Sequence, residues 1–560
     1  MDKKTKIKFN VLAIFVIIIF CFALTPRTLQ NDTYYTIAIG EHIIENGIDM
    51  KDPFSWHENL PYTYPHWAYD VGTYLIYQLG ENIGLGGFNA IYIATVILSI
   101  TLGLVIYYAL NRICKNQLVS FFVTLGTMYL LKNFIAARAQ LVTYILFVLT
   151  ILFIERFIET KKKRYLVGLV IIPIIIANVH LAVWPFYFVL YLPYIVEYLI
   201  AWLTESDFYY KFLINNNKRK LKKLTLKNKP KEQIDLLTTK IENLQKYMEK
   251  ADLKRTENRK NPYKVILRKE SCVKYLILIM IICIFTGLLT PLGDTPYTYL
   301  IKTTEGNTMD NISEHLPLTL INDLYTLTFI VLFLLILIFT DIKIKLRDLF
   351  MLAGLTLLAF MSRRQVSMFV LIGGFIFAKL LVALIDKYDK EGTEQAIKAI
   401  TSIWGKIITI LLGILLSFTL YKGKMNTPIV SQSTYPVEAC NYILDNVDIE
   451  NMRIFNEYNY GSYMLYRGIP VFIDSRADLY TPEFNGTKNE KGEYEGRDIF
   501  SDYINTTNIS TYYENIFDKY DITHLLIRKN SKLNMLITKN SENYKELYSD
   551  NNFVFYEREA

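Results

Sequence analysis

Residues 31–70 read NDTYYTIAIGEHIIENGIDMKDPFSWHENLPYTYPHWAYD and form a long polar segment directly after the first apolar run of the chain. This segment contains many acidic and aromatic side chains and three of the six histidines: His42, His57 and His66. Connections of this length in compact proteins are uncommon, and most are functional or disordered. We therefore interpret residues 31–70, the first loop, as half of a functional site.

The composition is that of a polytopic membrane protein. Of the 560 residues, 52% are hydrophobic, and the mean hydropathy is +0.21. Apolar residues occur in blocks of roughly 20, the length that crosses a bilayer core. We predict an α-helical membrane bundle of about eleven spans, near residues 9–24, 88–110, 118–132, 141–158, 165–177, 181–203, 273–290, 322–340, 348–361, 366–384 and 403–421.

The net charge of +8 could indicate nucleic-acid binding, but the basic residues cluster between spans and are not interleaved with aromatic residues. The positive-inside rule accounts for them, so we predict no nucleic-acid partner. The basic segments at 3–8, 111–115 and 161–164 predict a multi-pass protein of the cell membrane with a cytoplasmic N-terminus. An odd number of spans then places residues 424–560 outside. The five cysteines have neither disulfide nor zinc-ligand spacing.

Two polar regions interrupt this pattern and divide the chain into 1–203, 204–270, 271–423 and 424–560. Residues 204–270 are basic and have apolar residues at three- and four-residue steps, which predicts a cytoplasmic helical hairpin. The last region predicts a soluble outer α/β domain, with a helix at PVEACNYILDN (436–446). Strands are predicted at MRIFNEY (452–458), PVFIDS (470–475), THLLIRK (523–529) and NFVFYE (552–557).

Asp474, Arg476 and Asp478 follow the second of these predicted strands. Open sheets often bind ligands at the carboxyl ends of their strands, so the three residues are ligand candidates of the outer domain. An equally good alternative is that Arg476 pairs with a neighbouring carboxylate and fixes the loop.

The predicted topology collects polar residues at the outer ends of the spans. Ionisable groups beside spans are costly and usually face a cavity or a partner. The residues concerned are Arg138, Gln140, Asn178, His180, Asp294, Glu314, His315, Arg363, Arg364 and Gln365. Some of them have a structural alternative: His180 as a hydrogen-bonding residue between helices, and Arg363 and Arg364 as headgroup anchors. Asp32 of the first loop could be a helix cap. Their convergence on one face nevertheless predicts a site.

Taken together, these motifs resemble bacterial multi-spanning proteins of the GT-C glycosyltransferase superfamily, akin to the protein mannosyltransferase and aminoarabinose transferase group. The resemblance rests on Asp32 soon after the first span, the long first loop, ANVH (177–180), TPLGD (290–294), SRRQ (362–365) and DSRAD (474–478). It covers most of the chain apart from residues 204–270. It implies transfer of a sugar from a polyprenyl-phosphate donor in the membrane lipid to a glycan, lipid or protein acceptor at the outer face.

The resemblance also implies roles for individual residues. Asp32 and His66 are the candidate catalytic residues, with Asp32 as the general base for the acceptor. Arg138, Arg363 and Arg364 are expected to hold the donor phosphate, because the arginine fork suits it. Residues expected to bind substrate are Gln140, Asn178, His180, Trp67, Glu314 and Gln365.

GT-C enzymes often carry two adjacent acids at the position of Asp32, whereas Asn31 precedes it here. We therefore assign no cofactor and no metal-ligand set, and a divalent cation stays an open alternative.

Two other functions are compatible with the same residues. A transporter or flippase of a lipid-linked or anionic substrate would equally need outer arginines, but it predicts paired, interrupted spans in two related halves, and no such repeat is found. A non-catalytic assembly protein of the cell envelope is favoured by the loss of the second adjacent acid, since Asn31 stands before Asp32.

Overall fold

The computed structural model describes residues 2–205, 207–226, 230–260, 263–306, 308–319, 323–389 and 391–559, and most of them are helical. The helices up to residue 422 are α1 (Lys3–Leu24), α2 (Asn31–Asn46), α3 (Trp67–Asn82), α4 (Gly87–Cys114), α5 (Gln117–Leu130), α6 (Ala139–Thr160), α7 (Arg164–Val179), α8 (Trp184–Val189), α9 (Leu192–Glu205), α10 (Phe208–Leu226), α11 (Lys231–Lys260), α12 (Val273–Ile284), α13 (Thr295–Glu305), α14 (Thr308–Asn311), α15 (Leu324–Phe339), α16 (Leu346–Met361), α17 (Val366–Tyr388), α18 (Gly392–Thr401) and α19 (Ile403–Lys422).

Within the described ranges, six helical stretches are long and apolar enough to cross a membrane: Lys3–Leu24, Gly87–Cys114, Ala139–Thr160, Leu181–Leu226, Arg363–Tyr388 and Ile403–Lys422. The shorter apolar helices are Gln117–Leu130, Arg164–Val179, Val273–Leu288 and Leu324–Phe339. Each predicted apolar block coincides with one of these helices or with α16. Helices suit such sequences because they satisfy every backbone hydrogen bond internally. The number of crossings stays a prediction.

Helix α17 lies in the centre of this bundle, and its first ten residues are nearly all buried. Close packing requires a glycine at one contact, since a side chain at Gly374 would meet the Thr127 hydroxyl of α5 at 2.7 Å. At the bundle end nearer α10, Lys379 of α17 pairs with Glu155 of α6 (2.7 Å) and Asp348 of α16 (2.8 Å). This buried charge cluster links three helices and fixes their register.

The polar insertion contains two long helices. Helices α10 and α11 pack on each other, and Ile214 and Ile241 are buried between exposed basic residues. Arg255 near the end of α11 pairs with Asp207 at the start of α10 (2.7 Å). Residues 227–229, between the two helices in the sequence, lie outside the described residues.

The part after residue 423, the C-terminal domain, is α/β. Its helices are α20 (Val437–Asn446), α21 (Tyr458–Tyr466), α22 (Pro482–Asn485), α23 (Ile499–Asn508), α24 (Tyr513–Lys519) and α25 (Lys532–Ile537). The chain also contains β1 (Val265–Ile266), β2 (Ile344–Lys345), β3 (Ile454–Asn456), β4 (Thr487–Lys488), β5 (Tyr494–Glu495), β6 (His524–Arg528), β7 (Tyr544–Ser549) and β8 (Phe553–Arg558).

The main sheet has the strand order β3-β6-β8-β7, in which β3 and β6 are parallel and the other pairs antiparallel. The predictions of α20, β3, β6 and β8 are confirmed. The prediction of a strand at PVFIDS is wrong, because part of its backbone bonds to a side chain. Asn456 accepts a hydrogen bond from the Phe472 N–H (2.8 Å) and donates one to the Ile473 carbonyl (2.7 Å). A side chain therefore takes the place of a neighbouring strand, and Val471 alone forms a bridge, to Ser55.

The first loop packs onto the C-terminal domain and shares its hydrophobic core. The Tyr34 ring contacts the rings of Tyr435 and Tyr463 at centroid distances of 4.9 and 5.0 Å. The Trp56 indole donates to the Ile454 carbonyl (2.9 Å). Two regions that are far apart in sequence therefore fold as one unit above the helix bundle.

Helix α3 is amphipathic. Asp70 and Tyr74 are buried against the rest of the protein, whereas Leu75, Leu79 and Ile83 are exposed. An exposed apolar face of this kind is typical of a helix at a membrane interface.

Candidate functional site

A cavity of about 420 Å³ lies between the helix bundle, the first loop and the C-terminal domain. The bundle contributes Arg138, Gln140, His180, Arg364 and Gln365, and α2 and the first loop contribute Asp32 and His66. The segment 299–315 adds Glu314, and the C-terminal domain adds Arg476 and Asp478. Ten of the predicted site residues therefore line one cavity.

A second cavity of about 250 Å³ adjoins the first. Both share Arg138, Gln140, Ser313, Glu314 and Arg364 in their linings. The other lining residues of the second cavity are Gln30, Asn133, Phe134, Ala136 and Arg363. Two compartments therefore meet at a wall of charged side chains.

Asp32, Arg138 and Glu314 form an ion cluster at this wall. Arg138 Nη2 lies 2.8 Å from Asp32 Oδ2, and Arg138 Nη1 lies 3.4 Å from Glu314 Oε1. Asp32 stands in the first turn of α2, where an acid is favoured, and its side chain pairs with Arg138 instead of capping the helix. Burial would raise the pKa of Glu314, but Arg138 and Arg364 outweigh it and lower that pKa.

Arg363 and Arg364 lie on a 3-10 turn between α16 and α17. Backbone hydrogen bonds hold the turn, from Arg363 N–H to the Leu316 carbonyl (3.0 Å) and from Arg364 N–H to the Glu314 carbonyl (2.9 Å). Neither guanidinium forms an ion pair with a described residue. Both cations are therefore available to an anionic ligand, Arg364 from either cavity and Arg363 from the second.

His66 and His180 face each other with ring centroids 5.0 Å apart. His180 Nδ1 lies 3.1 Å from the Thr143 hydroxyl, which orients its ring. Burial, with Arg364 and Arg138 nearby, lowers the pKa of His66 to about 3. His66 is therefore uncharged at neutral pH, and its ring can both donate and accept a hydrogen bond in the cavity.

Asp478 reaches the cavity from the C-terminal domain. Tyr299 of α13 donates a short hydrogen bond to its Oδ2. Burial raises the pKa of Asp478, and the opposing effects of Tyr299 and Arg364 do not cancel this. Tyr299 and Tyr458 are outside the predicted set, and the lining also contains three tyrosines of the first loop, Tyr35, Tyr62 and Tyr69. The density of tyrosine in the first loop was the available signal.

Arg476 is held in a buried cluster that joins the first loop to the C-terminal domain. It lies 2.7 Å from both Asp52 of the loop and Asp474, and its guanidinium stacks on the Tyr62 ring at 4.9 Å. Tyr480 also donates to Asp474 (2.5 Å). This is the geometry of the alternative in which Arg476 fixes the loop. Asp474 does not line the cavity.

Trp67 and Asn178 also lie outside the cavity lining. Trp67 Nε1 donates to Asn178 Oδ1 (3.2 Å), and Asn178 Nδ2 donates to the Leu289 carbonyl (2.9 Å). The pair connects α3, α7 and the segment after α12, which is a structural contact.

The donor set at the ion cluster does not fit a divalent cation. Calcium and magnesium sites need several oxygen ligands around an open position. Here two carboxylates converge, and the guanidinium of Arg138 lies between them. In the part of the chain that the structure describes, no group of three or more His, Cys, Asp or Glu residues could hold a metal ion.

No protein-family model matches the chain, and no curated protein sequence matches it. Solved structures do. Archaeal oligosaccharyltransferase AglB from Archaeoglobus fulgidus, in complex with an inhibitory peptide and a dolichol-phosphate, is 12% identical with a TM-score of 0.50, over 94% of this chain and 70% of that chain.

Two further structures of the Archaeoglobus fulgidus oligosaccharyltransferase are similar. The apo form is 13% identical with a TM-score of 0.53, over 94% of this chain and 70% of that chain. The form tethered with an acceptor peptide containing the NVT sequon is 12% identical with a TM-score of 0.52, over 99% and 74%. At such identities the similarity concerns the fold, and it extends over nearly the whole chain. The chain therefore has a GT-C-like fold, as the motifs indicated.

Proposed function

We propose that the protein is a membrane glycosyltransferase that moves a sugar from a polyprenyl-phosphate donor to an acceptor at the outer face of the membrane. One observation carries this proposal. Two adjoining cavities meet where Arg364 can hold an anion and where Asp32 stands next to the larger space. Donor and acceptor therefore have separate compartments with the reacting groups at their boundary.

The smaller cavity suits the lipid donor. Arg363 and Arg364 offer planar forks that bind phosphate through two parallel hydrogen bonds. Phe134 and Ala136 add an apolar wall for the first isoprene carbons. A related observation is that the archaeal oligosaccharyltransferase of the same fold has been solved with a dolichol-phosphate. Arg138 is less suited to the phosphate than was predicted, because two carboxylates already neutralise it.

The larger cavity receives the acceptor and the sugar. Asp32 removes a proton from the acceptor as the new bond to the anomeric carbon forms. The bond from that carbon to the phosphate oxygen breaks, and the phosphate leaves with the electron pair. Arg363 and Arg364 stabilise the negative charge on it. The tyrosines of the lining and the neutral His66 provide stacking and hydrogen bonds for the sugar.

The test is transfer of radiolabel from a panel of polyprenyl-phosphate sugars in membranes that contain the full chain. The double variant R363Q/R364Q should lose on the order of tenfold or more in transfer, since charge-assisted hydrogen bonds to the phosphate are lost. The double lysine variant should recover part of the activity, because it restores charge without the fork. The matched control is Arg112→Gln, because Arg112 lies in the last turn of α4 and lines neither cavity.

Two outcomes would contradict the proposal. Full transfer by R363Q/R364Q at matched protein level would leave these arginines as headgroup anchors. No labelled product from any donor, with a folded wild-type chain, would favour the transporter or assembly alternative.

A further inference from the structure

The ion cluster at the wall between the two cavities is built from three segments. Asp32 comes from α2, Arg138 precedes α6, and Glu314 lies between α14 and α15. Two carboxylates that contact the same guanidinium would repel each other without that cation between them. The guanidinium is that cation, with one terminal nitrogen directed at each acid.

A cation held between acids from separate segments, beside a ligand cavity, is the arrangement that proteins commonly build around a bound divalent ion. Here the position is filled by a side chain that cannot dissociate and that stays charged at any physiological pH. The cluster has two negative charges and one positive charge, so it keeps one net negative charge. Arg138 therefore orients the acids and leaves no excess positive charge for a phosphate.

We propose that Arg138 is a built-in substitute for a divalent cation, so that the cluster assembles and the site works without a bound metal ion. The statement about activity rests on the proposed glycosyl transfer. The statement about assembly does not, and metal binding tests it directly.

The experiment measures Mn²⁺ binding to the full chain in detergent, by calorimetry and by the electron paramagnetic resonance of free Mn²⁺. The wild type should bind no Mn²⁺ that depends on Asp32. Arg138→Glu should create a metal site with three carboxylates. A glutamate side chain is shorter than arginine, and a metal–oxygen bond of about 2.1 Å roughly makes up the difference in length. We expect one Mn²⁺ per chain, bound at least about tenfold more tightly than in the wild type, and lost again in R138E/D32N.

Arg112→Glu is the matched charge reversal, placed away from the cluster. Arg138→Gln is a second variant that removes the cation without adding a ligand. Its melting temperature should fall, and millimolar Mn²⁺ or Mg²⁺ should restore part of the loss, whereas neither ion should shift the wild type.

Wild-type Mn²⁺ binding that Asp32→Asn abolishes would overturn the proposal. So would a folded R138E variant that binds Mn²⁺ no better than R112E. If R138E folds only when Mn²⁺ is present, the proposal is supported. These readouts need no donor or acceptor, so a failure of the glycosyltransferase proposal is distinguishable from a failure of this one. Once a donor is known, wild-type transfer should be unchanged by a chelator.

Discussion

Asp32 is the residue on which the proposed chemistry depends. Asp32→Asn keeps the size of the side chain and removes both the base and the charge that pairs with Arg138. We expect the activation barrier of transfer to rise by about 3–5 kcal/mol, because proton abstraction and charge stabilisation are lost together. The measurement is glycosyl transfer at matched protein level, with the exposed Asp445→Asn as control. Transfer within a few-fold of wild type would leave Asp32 only an orienting role.

Asp70 gives the protein a pH dependence that is independent of catalysis. Its side chain is fully buried, and neither oxygen is hydrogen-bonded to a described residue, since the nearby Thr36 hydroxyl donates to the Asp32 carbonyl (2.8 Å). Burial raises the pKa of Asp70 well above its usual value, against the smaller opposing effects of Arg476 and Thr36. The folded chain therefore keeps a proton that the unfolded chain releases near pH 4.

Because its pKa is raised in the folded state, the contribution of Asp70 to the free energy of unfolding is most favourable at low pH and falls as the pH rises. Relative to Asp70→Asn, the wild type should lose about 1.4 kcal/mol per pH unit above pH 4, until the raised pKa is reached. Melting temperatures of both proteins between pH 5 and 8 test this. Parallel curves would show that Asp70 is ionised in the folded protein.

Single residues of the site could be predicted from sequence, but their pairing could not. Arg138, Glu314 and Arg364 are recognisable because polar side chains at the ends of apolar spans are costly. The ion pair between Asp32 and Arg138 joins residues more than a hundred positions apart. It depends on which helices are neighbours in the bundle, and hydropathy carries no information about that.

Among the elements, the predicted helices and most strands follow from periodicity, whereas PVFIDS does not form a strand. Its apolar run is buried as a strand would be, but its backbone groups bond to the Asn456 side chain and to residues of the first loop. Strand β7 was missed because its residues KELYS show polar side chains on a partly exposed edge. A sequence indicates which segments are buried more readily than it indicates the hydrogen-bond partner of each backbone N–H and carbonyl group.

The cluster of Asp52, Arg476 and Asp474 fixes the first loop on the C-terminal domain. Arg476→Ala leaves two buried carboxylates without their cation, which should lower the free energy of unfolding by about 3–5 kcal/mol. Arg453→Ala breaks the exposed pair with Asp521 and should cost less than about 1 kcal/mol.

Melting of the full chain and limited proteolysis of residues 47–63 measure both effects. In Arg476→Ala the loop should become accessible to protease at temperatures where the wild type is resistant. Equal melting temperatures for the two variants would argue against a fixing role for Arg476.

At the scale of the whole molecule, the domain boundaries read from sequence separate residues that share a core. Residues 31–70 fall within the predicted region 1–203, yet Tyr34 and Trp56 pack with the C-terminal domain. A change in composition marks where the chain leaves the helix bundle, but it does not show which of the polar segments pack together outside the bundle.

The orientation in the membrane is a prediction of its own. Basic residues around α1, α4 and α6 predict that the hairpin of α10 and α11 lies in the cytoplasm and the cavity outside. Reporter fusions at Lys231 and Asn530 should be active in opposite compartments. Activity of the same compartmental reporter at both positions would require a different number of crossings.

The contact between α1 and α19 determines the order in which parts of the protein can assemble during synthesis. Phe22 of α1 stacks on Tyr421 of α19 at 5.5 Å, and Lys424 donates to the carbonyls at the end of α1. A ribosome delivers α1 long before α19, so the groove for α19 faces lipid during most of synthesis. Asp32 and Arg138 both lie within the first 160 residues, whereas the C-terminal domain on which α2 packs follows α19 in the chain. A nascent chain halted before α19 would therefore contain both partners of the ion pair without the domain that encloses the cavity, and the cavity would form only after the C-terminal domain has been made.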